Sequence, residues 1–366
     1  MVFLTLYFLG WFGLLTTAIV LFARRQGSLP HAVPQPLPRV SILIAARNEE
    51  AAIARCLRAI RALHYPPELV EVLLGNDGST DDTDARAQAS MEGYAGSFQI
   101  ISIKEKLGTA HGKANVLAHL ARAATSEYFF ITDADIAVPA SWLQGLLGHL
   151  APGVGIVTGL TLVTGPRLFH RLQGLDWLMS LGLVQVVTDL GRPVTAMGNN
   201  MLITRVAYEA TGGYEQLPFS IIEDFELFKA VLRHGYTSRN VFRSEVLAES
   251  LPIYTWRGLL HQRRRWMLGV EALPAWLKLC LGLYGSFHLV LLALAWLAGL
   301  KVALGVWLLK MLLQGGLAVL CFRRVGRRAP LELLPLFELY TILLTAGLTA
   351  FRLLPLRFEW KGRRYS

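Results

Sequence analysis

The sequence predicts an α/β fold, a mostly parallel sheet with helices on both faces, flanked by transmembrane helices. Three observations predict it. From Val40 to Thr132, short apolar runs alternate with helix-periodic stretches at the spacing of strand–helix–strand units. Polar residues collect where those runs end: Arg47, Asn48 and Glu49, then Asp77, then Asp133 and Asp135. Parallel sheets bind ligands at such carboxyl ends. Apolar stretches of bilayer length stand on either side.

The apolar excess, 53% hydrophobic residues and a mean hydropathy of +0.42, is concentrated in those flanks. Residues 2–23 (VFLTLYFLGWFGLLTTAIVLFA) carry no charge and read as a transmembrane helix. No basic stretch precedes the run and no cleavage site follows it, so residues 1–25 are expected to be an anchor rather than a removed signal. Arg24 and Arg25 follow directly. Under the positive-inside rule they put the next region in the cytoplasm, in an integral protein of the cell (inner) membrane. Residues 26–39 are a Pro-rich linker.

VSILIA (40–45), LVEVLLG (69–75), FQIISI (98–103) and EYFFIT (127–132) read as strands. NEEAAIARCLRAIRAL (48–63) is expected to be a helix, with Asn48 as its N-cap and Glu49 and Glu50 in its first turn. DGSTDDT is a turn leading into another helix, and GKANVLAHLARAA (112–124) is a further one. One domain is expected over 40–253. Residues 254–278 suit amphipathic helices lying at the membrane surface. Residues 279–366 hold two to three membrane segments and a basic tail. Within them 281–322 makes a hairpin turning near Gly299–Lys301, while 333–354 is interrupted by Pro335 and Glu338.

At the end of the fourth strand stand Asp133 and Asp135. If the backbone stays extended, residues i and i+2 face the same way and both carboxylates converge, a usual seat for Mg²⁺ or Mn²⁺. The net charge is +10, from 36 Lys and Arg against 26 Asp and Glu. The basic clusters adjoin the apolar segments, so the expected partner is the anionic surface of membrane lipids and not nucleic acid. Cys56, Cys280 and Cys321 have neither metal nor redox spacing.

The strand ends AARNEE, GNDGSTDDT and TDAD are followed far downstream by SIIEDFELFKAVLRHGY (220–236) and HQRRRW (261–266). In this order they resemble the inverting family-2 glycosyltransferases of the GT-A (Rossmann-like) fold. They resemble in particular the membrane-integrated branch that includes cellulose, chitin and hyaluronan synthases and ceramide glucosyltransferase. The resemblance implies a role for each matching residue. Asp77 would hydrogen-bond the nucleotide base. Asp133 and Asp135, matching DxD, would bind the ribose and diphosphate region through Mg²⁺ or Mn²⁺. Asp224, in "ED" after Glu223, would be the general base. Gln262, Arg265 and Trp266, matching QxxRW, would close over the diphosphate. Lys113 would lie near the nucleotide, with Arg47, Asn48 and Glu49 at the strand-end donor site. The segment 197–214, with Asn199 and Asn200, would lie with Glu223 on the acceptor side. Two positions depart from the pattern: Asn76 replaces a common Asp, and Ala45–Ala46 replaces a common Pro-Ala entry.

The residues alone fit that chemistry. Arg265 offers a fixed, always-charged fork for phosphate, and on a helix it shares a face with Gln262 and Trp266. Asp224 can take the acceptor proton, although an acidic pair also suits the first turn of a helix. Arg263 and Arg264 read as snorkelling to lipid headgroups. The expected activity is transfer of a hexose from a UDP- or GDP-type nucleotide sugar to a lipid or glycan acceptor, with a lipid hydroxyl at the inner leaflet favoured. A processive polysaccharide synthase is the alternative, although three or four membrane segments are few to line a channel without a homo-oligomer. A nucleotidyltransferase would need a Gly-rich basic signature where AARNEEAAI stands. An inactive membrane scaffold would have no use for the retained Asp133, Asp135, Asp224 and Arg265.

Overall fold

The alternating runs become a sheet in the computed structural model, which describes residues 1–25, 30–271, 273–353, 358–360 and 363–365. Part of the Pro-rich linker and part of the basic tail lie outside these residues. The chain opens with α1 (Val2–Arg24) and continues through β1 (Val40–Ala46), α2 (Ile53–Arg61), β2 (Val70–Asn76), α3 (Thr83–Met91) and β3 (Ser97–Ser102). Next come α4 (Lys113–Ala123), β4 (Tyr128–Asp133), β5 (Ile136–Ala137), α5 (Trp142–Leu147), β6 (Val154–Thr158) and β7 (Leu160–Val163). After α6 (Leu168–Asp189) follow β8 (Asn200–Thr204), α7 (Arg205–Ala210), α8 (Gly213–Gln216), α9 (Glu223–Arg233), β9 (Thr237–Asn240) and β10 (Leu247–Ser250). The chain then runs through α10 (Trp256–Glu271), α11 (Ala275–Gly285), α12 (Phe287–Ala298), α13 (Leu300–Arg324) and α14 (Leu334–Leu353).

Contacts divide the chain into two units. One comprises Gly27–Gly165 and Val187–Pro252, the other Met1–Gln26, Pro166–Val186 and Ile253–Ser366. The first is the α/β unit. Its seven-stranded sheet has the order β3-β2-β1-β4-β8-β6-β9. β1 to β4 are mutually parallel, β8 runs antiparallel to β4 and β6, and β9 returns parallel to β6. The central strands are buried on both faces, as parallel strands under helices must be: Ile42, Leu43, Ile44, Phe129, Phe130 and Ile131 are at most 1% exposed. Helix α4 lies so close to β2 that a Cβ on Gly75 would meet Val116 at 2.3 Å. From β1 the chain builds outward to β3, then returns to β4 on the other side of β1. That reversal opens a crevice at the carboxyl ends of β1 and β4, the usual ligand site of such sheets.

Two local expectations are corrected. The first helix begins at Ile53 rather than Asn48. Asn48 has φ 52°, a left-handed conformation incompatible with a helix start. The amides of Asn48, Glu49 and Glu50 instead donate to Ser79 Oγ, Thr83 Oγ1 and Asp81 Oδ2. The backbone also does not stay extended through Asp133–Asp135, because β4 ends at Asp133 and Ala134–Asp135 form a turn before β5.

The second unit is helical apart from a two-stranded antiparallel ribbon, Phe358–Trp360 with Arg363–Tyr365. Among the described residues three helices are long and apolar enough to cross a membrane: Val2–Arg24, Leu300–Arg324 and Leu331–Phe351. Ala275–Gly285 and Phe287–Ala298 form a pair bent by 48°. Gly299, with φ 91°, separates α12 from α13. The segment that Pro335 and Glu338 were expected to interrupt is one continuous helix. Pro335 falls in its first turn, where no N–H is needed. Glu338 is buried, and its carboxylate meets Lys310 Nζ at 2.5 and 2.6 Å, His288 Nε2 at 2.9 Å and Trp307 Nε1 at 3.2 Å.

Candidate active site

Three of the acidic residues that the sequence singled out, Asp133, Glu223 and Asp224, gather around one lysine of the α/β unit. Lys113 opens α4, and its ammonium lies 2.5 Å from Asp133 Oδ1 and 3.3 Å from Glu223 Oε1. Three segments are thereby tied together: the end of β4, the start of α4 and the start of α9. Burial acts to lower the Lys113 pKa. The charges of Asp133, Glu223 and Asp224 outweigh it and hold the ammonium above its ordinary value.

Asp224 is fixed by two backbone amides. Gly198 N–H donates to Oδ2 at 3.0 Å and Phe225 N–H to Oδ1 at 2.9 Å. Gly198 is a residue that the sequence reading missed. A Cβ there would stand 2.4 Å from Asp224 Cβ and 2.6 Å from its Oδ2, so only glycine permits this approach. Gly198→Ala is expected to lower kcat by about 10²-fold with little change in donor affinity, because a carboxylate displaced by ~1 Å loses its attack geometry. Steady-state kinetics with separate donor titration checks this.

At the other strand ends, Arg47 Nη1 donates to the Asp77 carbonyl at 3.0 Å and lies 3.7 Å from its carboxylate. This couples the ends of β1 and β2. Asn48 Oδ1 accepts from Thr80 N–H at 2.9 Å, so its side chain shapes the 77–83 turn. Glu49 contributes its amide to the same loop. The departure at Asn76 has a local cause: its Nδ2 donates to Asp84 Oδ2 at 2.6 Å while Oδ1 accepts from Ser79 N–H. An aspartate there would face Asp84 as a second carboxylate.

The Asp133–Asp135 turn is held from behind. Arg55, which the sequence reading also missed, donates to the carbonyls of Asp135 and Glu249 at 3.2 and 3.1 Å. Its partners, these two carbonyls and the Glu249 carboxylate at 3.6 Å, lie far along the chain, and no local pattern announces them. Asn199 accepts from Thr161 Oγ1 through its side chain and from Thr132 Oγ1 through its carbonyl. Asn200 is corrected. It is fully buried, its Nδ2 donates to Leu160 O and Val246 O, and its Oδ1 accepts from Trp142 Nε1. With these contacts it ties β8 to its neighbours and has no side-chain group left for an acceptor.

Gln262, Arg265 and Trp266 lie in the helical unit on α10, whose helical spacing puts them on one side. Trp266 packs against Trp177 of α6 with centroids 4.4 Å apart and ring planes tilted by 31°. Arg263 is corrected. Rather than snorkelling, it pairs with Asp176 Oδ2 at 2.5 Å and lies over the Trp266 and Trp177 rings at 4.5 and 5.2 Å. Arg264 likewise packs over Phe351 at 5.0 Å. The Trp266 and Arg263 contacts fix the rotation of α10 against α6, and the Arg264 contact fixes it against α14.

Among the described residues no group of three or more His, Cys, Asp or Glu side chains could hold a metal ion. A hard cation at Asp133 and Asp135 would therefore need oxygens from its ligand as well. That is the ordinary habit of Mg²⁺, which takes one or two carboxylates together with substrate phosphates. The acid–turn–acid donor set fits such an ion.

Comparison with known proteins follows the same line. The sequence profile described as "Glycosyl transferase family 21" matches residues 5–366. Beta-monoglucosyldiacylglycerol synthase of Synechocystis sp. is 26% identical over 237 residues, 64% of this chain and 48% of that protein. The chain thus spans about half the length of that relative. The 4,4'-diaponeurosporenoate glycosyltransferase of Staphylococcus aureus is 26% identical over 356 residues, covering 89% of this chain and 88% of that protein. Among solved structures, mannosyltransferase PcManGT from Pyrobaculum calidifontis, in complex with GDP-Man and Mn²⁺, superposes with a TM-score of 0.58. It is 19% identical and covers 94% of this chain and 99% of that one, which establishes a shared GT-A fold.

Proposed function

The chain belongs to glycosyl transferase family 21, and from that premise we propose that it is a membrane-bound inverting enzyme moving a hexose from a nucleotide sugar to a lipid hydroxyl. The observation that carries this reading is the Lys113 junction, which brings Asp133, Glu223 and the Asp224 segment together at a sheet crevice. Asp224, oriented by the Gly198 and Phe225 amides, takes the proton of the acceptor hydroxyl. As it does so, the acceptor oxygen bonds to the anomeric carbon and the bond to the diphosphate breaks. One base and no second nucleophilic carboxylate suit a single displacement with inversion. Asp77, braced by Arg47, reads the base of a UDP- or GDP-type donor. Asp135, with Asp133, would hold Mg²⁺ or Mn²⁺, which when bound supplies Lewis-acid stabilisation of the leaving diphosphate. Lys113 restrains Asp133 and Glu223 against mutual repulsion. Arg265 is assigned to phosphate and Gln262 and Trp266 to closure over the donor.

A lipid acceptor is supported by the membrane-length helices and by relatives whose names contain monoglucosyldiacylglycerol and 4,4'-diaponeurosporenoate. The basic pair Arg24–Arg25 favours a cytoplasmic catalytic unit in the inner membrane.

The test offers UDP- and GDP-sugars to membranes containing the protein and analyses lipid and polymer fractions by mass spectrometry. A single glycosylated lipid is expected. A ladder of oligosaccharides would replace this reading with processive synthesis, and release of inorganic pyrophosphate would replace it with nucleotidyl transfer. EDTA is expected to stop turnover and weaken donor binding, as is Asp135→Ala. Tight donor binding in EDTA would remove the metal role.

A further inference from the structure

Beside the Lys113 junction lies a small cavity, with room for about a single water-sized group. Its walls include Thr109, Ala110, His111, Tyr214, Ser220 and Glu223. The walls are stitched together and therefore pre-formed. Thr109 N–H donates to Glu215 O at 2.8 Å, Thr109 Oγ1 donates to Leu217 O at 2.5 Å, and the Arg122 guanidinium clamps the Glu215 carboxylate with two contacts of 2.6 Å. Two successive glycines of positive φ, Gly212 (76°) and Gly213 (62°), turn the chain so that Tyr214 enters the interior. Tyr214 is 2% exposed, yet among the described residues its hydroxyl has no hydrogen-bond partner.

A buried phenol without a partner costs stability, and native proteins retain such groups where a catalytic role, a bound water, an ion or a ligand group completes them. Burial, with the Glu223 carboxylate next in effect, pushes this phenol well above its ordinary pKa, so it stays neutral and able to donate. Glu223 supplies a carboxylate on the same cavity wall. A donor and an acceptor around one water-sized space match a single alcohol group.

We infer that the cavity is a hydroxyl-recognition subsite, in which Tyr214 and Glu223 bind one hydroxyl of a substrate, on the donor hexose or on the acceptor. This rests on the glycosyltransferase reading and deepens it: Tyr214 is the residue that selects among sugars or among acceptors.

The test is Tyr214→Phe, which removes only the oxygen. Because that oxygen is unpartnered, the ligand-free variant is expected to melt at a temperature equal to or above the wild type, while recognition weakens. Donor binding is measured by calorimetry without acceptor, using intact nucleotide sugar and its monodeoxy analogues. If the hydroxyl is the donor's, Tyr214→Phe binds intact donor about tenfold more weakly but binds one deoxy analogue as the wild type does. If it is the acceptor's, donor binding is unchanged and the acceptor KM rises about tenfold. Unaltered binding and kinetics overturn the inference. So does uniform weakening on every analogue together with a lowered melting temperature, which would report only a loosened fold. Failure of the wild type to bind any nucleotide sugar would instead overturn the glycosyltransferase reading, and this inference with it.

Discussion

Asp224→Asn is expected to reduce turnover by about 10²–10⁴-fold while leaving donor affinity nearly intact. The amide keeps the shape of the side chain but cannot take a proton. Its oxygen can still accept from Gly198 N–H or Phe225 N–H, so the start of α9 should keep its conformation. Single-turnover transfer with labelled donor, beside equilibrium binding of the same donor, separates the two quantities. Unchanged turnover would remove Asp224 as the base.

The second large effect is at Lys113. In Lys113→Met, Asp133 and Glu223 lose their shared cation, and Glu223 is only 8% exposed. Breaking a fully buried pair costs about 3–5 kcal/mol. Lys113 keeps part of its surface in solvent, so a loss of about 2–3 kcal/mol is expected, together with a fall in donor affinity of about 10²-fold. Chemical denaturation and donor titration measure the two. Adding Glu223→Gln removes the stranded carboxylate and should recover most of the stability but not the donor affinity. Recovery of both would mean that Lys113 serves only to neutralise Glu223.

Much of the sheet was legible because strands buried on both faces write themselves as apolar runs, as VSILIA and EYFFIT do. The candidate acids were legible for a related reason: a polar residue directly after such a run must emerge at a strand end. What could not be read depended on partners distant in sequence. Glu338 reads as a flaw in an apolar segment until Lys310 is placed beside it, and Arg263 reads as a lipid-facing cation until Asp176 and two indoles surround it. Asn200 shares its motif with Asn199, yet only burial against Trp142 reveals that its amide is fully engaged. The start of α2 failed for a local reason of a different kind. The left-handed backbone of Asn48 lets the 48–50 amides serve the neighbouring 79–83 turn, and capping rules alone favour the simpler assignment.

The Lys310–Glu338 pair also constrains how the protein is made. A solitary charge at the centre of a bilayer costs about 2.5–3.5 kcal/mol. If α14 spans a membrane, its entry into lipid by itself is opposed by its own carboxylate, near the start of the helix. The ammonium that neutralises it lies 28 residues nearer the N-terminus and leaves the ribosome first. If both helices span a membrane, entry of α13 and α14 as a charge-cancelled couple is then favoured over entry of either one alone.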